Sequence, residues 1–350
     1  MRRLPLLERF RNHLPINQHT RIISLMEGST PLIPLNGPPE AQAQGIRLFA
    51  KYEGLNPTAS FKDRGMTMAV THAVGEGAQA IACASTGNTS ASAAAYAARA
   101  GITCIVVLPA GYVAAGKLSQ TLIHGAKIVQ IKGNFDDALR MVRLLCDESP
   151  VALVNSVNPY RIVGQKTLAF EVVEELGVPE YHALPVGNAG NITATWMGYS
   201  ELIAHKRIAK APKMLGFQAA GAAPIVGGQP VAKPETIATA IRIGNPASWQ
   251  GAVEARDQSG GTIQAVSDEE ILAAYQYLAR QEGIFCEPAS AASLAGTWRL
   301  IREGQLEQGS KVILTLTGHG LKDPTTAEKF AKMPEPVEAT LEAVMRAAGV

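Results

Sequence analysis

The chain is poor in aromatics, poor in cysteine and almost without net charge. Phe, Trp and Tyr supply 5% of its 350 residues, so Ala, Val, Leu and Ile must fill the core. Four cysteines, Cys83, Cys104, Cys146 and Cys286, stand far apart with no CxxC pair. That argues against a disulfide framework and reads as reduced thiols of a cytoplasmic protein. Seven histidines show no HExxH or paired spacing, so no metal site is expected. A formal net charge of +2 gives no reason to expect nucleic acid as a partner. The one basic cluster is the set of five arginines between Arg2 and Arg21; Pro5 and Glu8 interrupt an amphipathic targeting pattern, so it reads as a solvated arm. Glu8, Arg9 and Arg11 break the early apolar run that a signal peptide needs. No uncharged apolar stretch of roughly 18 residues exists, and the longest candidate, Ala91 to Pro109, contains Arg99; no membrane partner is expected.

What is present is an ordinary globular composition, 47% apolar and 18% charged. At about 150 residues per domain the length suggests two domains. Short apolar runs alternate with longer helical ones. Strands are expected at Arg47–Tyr52, Ala80–Ala84, Thr103–Leu108, Lys127–Ile131, Ala152–Asn155, His182–Val186, Lys213–Gln218, Thr262–Val266 and Lys311–Leu316. Helices are expected at Phe61–Gly75, Asn88–Ala100, Ala115–Gly125 and Asn134–Asp147. In the last, Phe135, Ala138, Leu139, Val142 and Leu145 recur at helical spacing. Ser267 and Glu270 form a capping box ahead of another helix. Pro334–Val350 reads as a final helix, and Gly221–Pro234 as a mobile surface loop. The alternation implies an α/β fold with mostly parallel sheets.

In such folds ligands gather where strands turn into helices. Four of these junctions are rich in chemistry. Asn56 to Gly65 places Lys62 in a first helical turn, where a cation is disfavoured. It is either a surface lysine or a working amine. Ser85-Thr86-Gly87-Asn88-Thr89 opens an Ala-rich helix, as a plain N-cap or an anion cradle. Gly187-Asn188-Ala189-Gly190-Asn191 again joins strand to helix, with two glycines that let backbone close on an anion. Thr317-Gly318-His319-Gly320 follows the last strand as a turn, or as a hydroxyl offered to a ring nitrogen. A GxGxxA at Gly75, Gly77 and Ala80 ends a helix and precedes a strand, the reverse of a dinucleotide site.

Together, in order, these loops resemble the fold-type-II pyridoxal-phosphate enzymes of the tryptophan synthase β-like family, and among them the threonine synthases. The likeness runs from Gly28-Ser29-Thr30-Pro31-Leu32 to Asp323-Pro324. Asparagines in the Gly187–Asn191 loop contrast with the glycine run of the serine and threonine dehydratases, and Phe61 before the lysine contrasts with the histidine there in tryptophan synthase β-subunits. The resemblance implies two open, mostly parallel twisted sheets flanked by helices. It implies a smaller inserted unit at 55–150 within a larger one formed by 1–54 and 151–350. It implies pyridoxal 5'-phosphate, with Lys62 as Schiff-base lysine, Asn88 at the phenolic oxygen, Gly187, Asn188, Ala189, Gly190 and Asn191 on the phosphate, Thr317 at the pyridine nitrogen and Phe135 on the ring. It implies O-phospho-L-homoserine as substrate, converted with water to threonine and phosphate. Ser85, Thr86, Gly87 and Thr89 would take its carboxylate; Lys117, Asn155, Ser156 and Arg161 would take its phosphate. The family is commonly dimeric, so a cytoplasmic homodimer is expected. The alternative within the fold is a threonine or serine dehydratase, for which Lys117 and Arg161 would be idle.

Overall fold

The computed structural model describes residues 4–111, 115–330 and 335–350, with the side chains of 115–117 outside the described set. Among these residues ten strands form: β1 (Leu32–Pro34), β2 (Arg47–Tyr52), β3 (Ala80–Ala84), β4 (Thr103–Pro109), β5 (Lys127–Ile131), β6 (Val151–Leu153), β7 (Tyr181–Pro185), β8 (Lys213–Ala219), β9 (Thr262–Val266) and β10 (Lys311–Leu316). They build a six-stranded sheet ordered β1-β2-β10-β7-β8-β9 and a four-stranded sheet ordered β5-β4-β3-β6. Every pairing is parallel except the edge strand β1 on β2. Strands such as β3 and β7 are buried along their whole length, as parallel strands covered on both faces must be.

Each sheet is a filling between helical layers. The four-stranded sheet sends Ile81, Cys83, Val106 and Leu108 against the Lys62–Gly75 and Asn88–Ala100 helices. Its other face packs Ala82, Ala84 and Val107 on Ala138 and Val142 of the Phe135–Asp147 helix. The large sheet is covered on one face by the Pro288–Arg302 and Asp268–Gln281 helices, through Leu294, Leu300, Ile271 and Leu278. On the other face lie the Gly190–Ala204 and Trp249–Ser259 helices, through Ile192, Tyr199 and Ala252. With so few aromatics, small residues do this work; Ala91, Ala93, Ala94 and Ala97 let their helix approach β3 and β4 closely.

Three expectations need correction. The strand read as Ala152–Asn155 ends at Leu153, because the Asn155 side chain replaces the ladder: its carboxamide accepts from Ala84 N and donates to Ala84 O, each at 3.0 Å. The last helix spans Leu341–Ala348 only, since Thr340 caps it by accepting from Ala343 N at 3.3 Å and Pro336 lies upstream. The segment after Gly221 is tied down rather than free. Glu235 N donates to Gly221 O at 3.0 Å and Val231 N to Gly244 O at 2.8 Å, and a short helix forms at Pro224–Gly227. The strand β1 went unread because three residues carry no periodicity. No helix among the described residues is long and apolar enough to cross a membrane.

Candidate active site

The chemistry-bearing loops all leave carboxyl ends of strands: Ser85–Thr89 after β3, Val186–Asn191 after β7 and Thr317–Gly320 after β10. The lysine loop joins them through backbone. Phe61 N donates to Thr317 O at 2.9 Å, and His319 N to Ala59 O at 3.0 Å. Glu287 N in turn donates to Gly318 O at 3.0 Å. Three distant segments thus pair like short strands and carry Lys62, Thr317 and Glu287 with them.

Lys62 begins its helix at the end where backbone N–H groups point outward. The next two residues anchor it. Asp63 is buried and accepts from Thr58 N at 2.7 Å, Thr58 Oγ1 at 2.6 Å and Ser92 Oγ at 2.6 Å. Arg64, fully buried, donates to Glu53 at 2.7 and 2.8 Å and to Glu171 at 2.7 and 2.9 Å. Lys51 completes that cluster, 3.0 Å from Glu171. The lysine therefore springs from a rigid base. Its Nζ lies 4.1 Å from the Phe61 ring centroid. Burial first, then the Arg161 charge, bring the amine down to about 7, against an opposing pull from Glu287. Such an amine exchanges protons near neutral pH.

Arg161 comes from the Pro159–Gln165 helix, whose start Asn158 caps by accepting from Tyr160 N. That helix crosses the lysine helix at two glycines. A Cβ on Gly65 would meet Arg161 O at 2.7 Å, and one on Gly164 would meet Arg64 O at 2.2 Å. The same helix touches the Gly187–Asn191 loop, where a Cβ on Gly190 would lie 3.3 Å from Ile162 Cδ1. Arg161 is 1% exposed, donates to Val154 O at 3.2 Å, and leaves Nε without a partner. Burial holds its guanidinium down at about 10. A buried cation with no carboxylate at ion-pair distance among the described residues is an anion site in waiting.

The Gly187–Asn191 loop has the form of a cradle. Ala189 takes left-handed backbone at φ 63°, and its helix begins with no side-chain cap. The backbone of Gly187 passes so close to Ile241 that a Cβ would sit 2.9 Å from Cα. Asn188 binds the 247–248 segment, accepting from Ser248 N at 3.1 Å on its carbonyl and from Ala247 N at 3.3 Å on its side chain. Asn191 is buried with both carboxamide atoms unpaired. Free first-turn N–H groups on a 15-residue helix and an orphaned carboxamide suit a phosphate dianion. Thr317, Asn88 and Lys62 offer a hydroxyl, an amide and an amine for a polar ring. The residues present thus fit pyridoxal phosphate.

At Ser85–Thr89 the helix again starts uncapped at Gly87, with Ser85, Thr86, Gly87 and Thr89 all half-buried and open to a small anion. Ser156 is half-buried beyond β6, and the Asn155 carboxamide is engaged by Ala84. Lys117 lies on the Ala115–Ile123 helix, and its side chain falls outside the described residues. Phe135 is not gathered with the rest: it opens the helix on the opposite face of the small sheet and is 46% exposed.

Sequence reading missed Glu287. It is buried and accepts from Asn88 Nδ2 at 3.1 and 3.3 Å and from Thr317 Oγ1 at 3.4 Å. The available signal was an acid placed just before Pro288 and an Ala/Ser-rich helix start, a junction like the others. Also unread was the meeting of His13, Glu201 and His205, whose ligand atoms lie within 4.8 Å of one another; Lys166 pairs with that glutamate.

Comparison with known proteins agrees with this geometry. Residues 23–318 match the family described as pyridoxal-phosphate dependent enzyme. The threonine synthase of Mycobacterium leprae is 58% identical over 343 residues, covering 97% of this chain and 95% of that protein. That of Methanocaldococcus jannaschii is 50% identical over 349 residues, covering 97% and 86%. Among solved structures, maize serine racemase superposes with a TM-score of 0.73 at 20% identity, covering 86% of this chain and 91% of that one. The processed threonine deaminase isoform 2 of Solanum lycopersicum gives 0.74 at 19%, covering 86% and 82%. Those two establish the fold. The identity to the first two, over nearly the whole length, establishes that this chain belongs to the pyridoxal-phosphate dependent enzymes and, within them, to the threonine synthases.

Proposed function

We propose that the chain converts O-phospho-L-homoserine and water to L-threonine and inorganic phosphate. The observation that carries the substrate choice is Arg161, a fully buried guanidinium beside Lys62 with no carboxylate among the described residues to pair with it. A serine or threonine dehydratase has no second phosphate to bind, and would gain nothing from that cation.

Pyridoxal phosphate, when bound, supplies an electron sink that acidifies protons on Cα and Cβ of the amino acid it carries. The chain's residues do the rest. Lys62, neutral for much of the time near pH 7, takes protons from Cα and Cβ, delivers one to Cγ and at the end returns one to Cα. Its four-carbon stem lets one amine reach adjacent carbons. Arg161, with Lys117 as proposed partner, receives the phosphate as the Cγ–O bond breaks and the oxygen keeps the electron pair. Water then gives hydroxyl to Cβ and its other proton to the freed phosphate, and Cγ ends as methyl; no electrons are gained or lost overall. N–H groups at Ser85–Thr89 orient the carboxylate. Thr317 and Asn88 hold the ring, and Gly187–Asn191 its phosphate.

The same reading takes residues 55–150 as a smaller unit set into 1–54 and 151–350. It takes the enzyme to be a cytoplasmic homodimer, bound to neither nucleic acid nor membrane. Supporting the dimer is the apolar stripe of Leu341, Val344 and Met345, exposed on the last helix. The test of function is to offer O-phosphohomoserine, threonine and serine in turn. Phosphate release from the first with little keto acid from the others is expected; keto acid from threonine or serine, without phosphate release, would overturn the reading.

A further inference from the structure

A carboxyl group is rarely buried without a task. Glu287 is 4% exposed, and among the described residues its partners are an amide and a hydroxyl rather than a base at ion-pair distance. Both partners are side chains assigned to the cofactor ring. We propose that Glu287 is a positioning residue that fixes Asn88 as a hydrogen-bond donor and holds the Thr317 hydroxyl in place, so that one acid sets both edges of the ring site. This rests on the cofactor reading above and goes beyond it.

An asparagine carboxamide can present oxygen or NH2 to a ligand, and packing alone barely distinguishes them. An ionised carboxylate only accepts. With Asn88 Nδ2 at 3.1 Å from one Glu287 oxygen and 3.3 Å from the other, the NH2 end is committed to face the acid. One N–H remains for an acceptor such as a phenolic oxygen. Thr317 Oγ1 stands 3.4 Å from Glu287 Oε1 and 3.0 Å from Ser290 Oγ. Ser290 Oγ accepts from Gly318 N at 3.0 Å, which holds that hydroxyl in turn. A hydroxyl flanked in this way has a restricted set of directions left for its proton.

The acid itself is seated firmly. Its N–H is bonded to Gly318 O, and the Gly318 backbone closes over the carboxyl so tightly that a Cβ there would be 2.5 Å from Oε1. Burial pushes the Glu287 carboxyl up, and what favours its ionised, accepting form is the Asn88 bond, the Lys322 and Lys62 charges that face it and the Thr317 bond. Lys322 also reaches Gln120 on the Ala115–Ile123 helix, so it does not form a dedicated pair with the acid. Glu287 therefore also acts on Lys62 at a distance. Its negative charge favours the protonated form of any nitrogen at that place.

The test uses the full-length protein loaded with pyridoxal phosphate. E287Q keeps shape and one acceptor oxygen, but it removes the charge and sets an NH2 in place of the other oxygen, so either the 3.1 Å bond from Asn88 or the bond from Thr317 is lost. The expected result is a folded protein with an unchanged far-ultraviolet spectrum. Its affinity for pyridoxal phosphate, read by titrating the visible cofactor band, falls about tenfold or more, in line with a lost charge-assisted hydrogen bond. The pH midpoint of that band moves down by about one unit, because a negative neighbour has gone. E287D, which keeps the charge but loses reach, should restore the pH midpoint more than the affinity. Wild-type affinity and midpoint in E287Q would overturn the proposal; should E287Q not fold, wild-type values in E287D would do so. A wild-type protein with no visible band would overturn the cofactor reading itself, a separable result.

Discussion

The backbone N–H of Phe61 donates to the carbonyl of Thr317 across 2.9 Å. The two residues are 256 positions apart, yet this bond makes one unit of the lysine loop and the turn after β10. Neither Lys62 nor the Thr317 hydroxyl can shift much without moving the other. Residues flanking the bond reinforce it, since Ser60 and Gly318 form an antiparallel bridge. The site is thus preorganised by backbone and needs side chains only at its tips.

Replacement of Lys62 tests that division of labour. K62A should fold, because Asp63 and Arg64 carry the anchoring bonds. It should lose the visible cofactor band and at least a thousandfold in kcat. Absorption spectra and phosphate release measured on one preparation check both.

Arg161 should act on Lys62 as well as on substrate. Its charge is a like neighbour that helps to hold the amine near 7, so removal raises the amine's pKa. In cofactor-free wild type, modification of Lys62 by an amine-acylating reagent should rise with pH about a midpoint near 7. In R161M the midpoint should move to higher pH. R161M should also raise KM for O-phosphohomoserine about tenfold or more, while pyridoxal phosphate binds as before. Lost cofactor affinity with an unchanged KM would mean that the two phosphate positions are exchanged.

The buried cluster beneath the lysine helix should show in stability. Burial alone would raise the Glu171 carboxyl, but the Arg64 and Lys51 charges outweigh it and hold it far below the ordinary 4.5. A depressed carboxyl contributes stability above its unfolded value, lost as pH falls through its folded one. E171Q leaves Arg64 and Lys51 short of a counter-charge, so it should cost about 3–5 kcal/mol at neutral pH. Urea melts at pH 7 and near pH 3 check it: the difference between wild type and variant should shrink in acid.

Gly187 has no space for a side chain, since its Cβ would press on the Ile241 backbone at 2.9 Å. G187A should displace the phosphate loop, at about 1–3 kcal/mol in stability. Its clearest readout is weaker pyridoxal phosphate binding at a nearly unchanged KM for substrate.

Much of this was legible in the sequence because strong local rules governed it. Strands such as Ala80–Ala84 are continuous apolar runs, and the helix at Asn88 has both a polar start and an alanine face. Lys62, Asn88, Gly187–Asn191 and Thr317 sit in ordered, unusual loops, so resemblance could find them. What stayed hidden depended on tertiary pairing. Glu287 looks like any acid before a proline until Gly318 is folded over it. The two bonds between the Asn155 carboxamide and the Ala84 backbone join positions 71 residues apart, and no local pattern announces them. Helical spacing placed Phe135 on a helix but could not say which face of the sheet that helix covers.

In the proposed reaction the Cγ–O bond of O-phosphohomoserine breaks and solvent supplies the new hydroxyl at Cβ. Turnover in water enriched in oxygen-18, followed by mass spectrometry of both products, tests it most directly. The predicted result is threonine carrying one heavy oxygen at its hydroxyl and phosphate carrying none. Label in the phosphate, with unlabelled homoserine as the amino-acid product, would mean that the P–O bond is cleaved instead and would contradict the account.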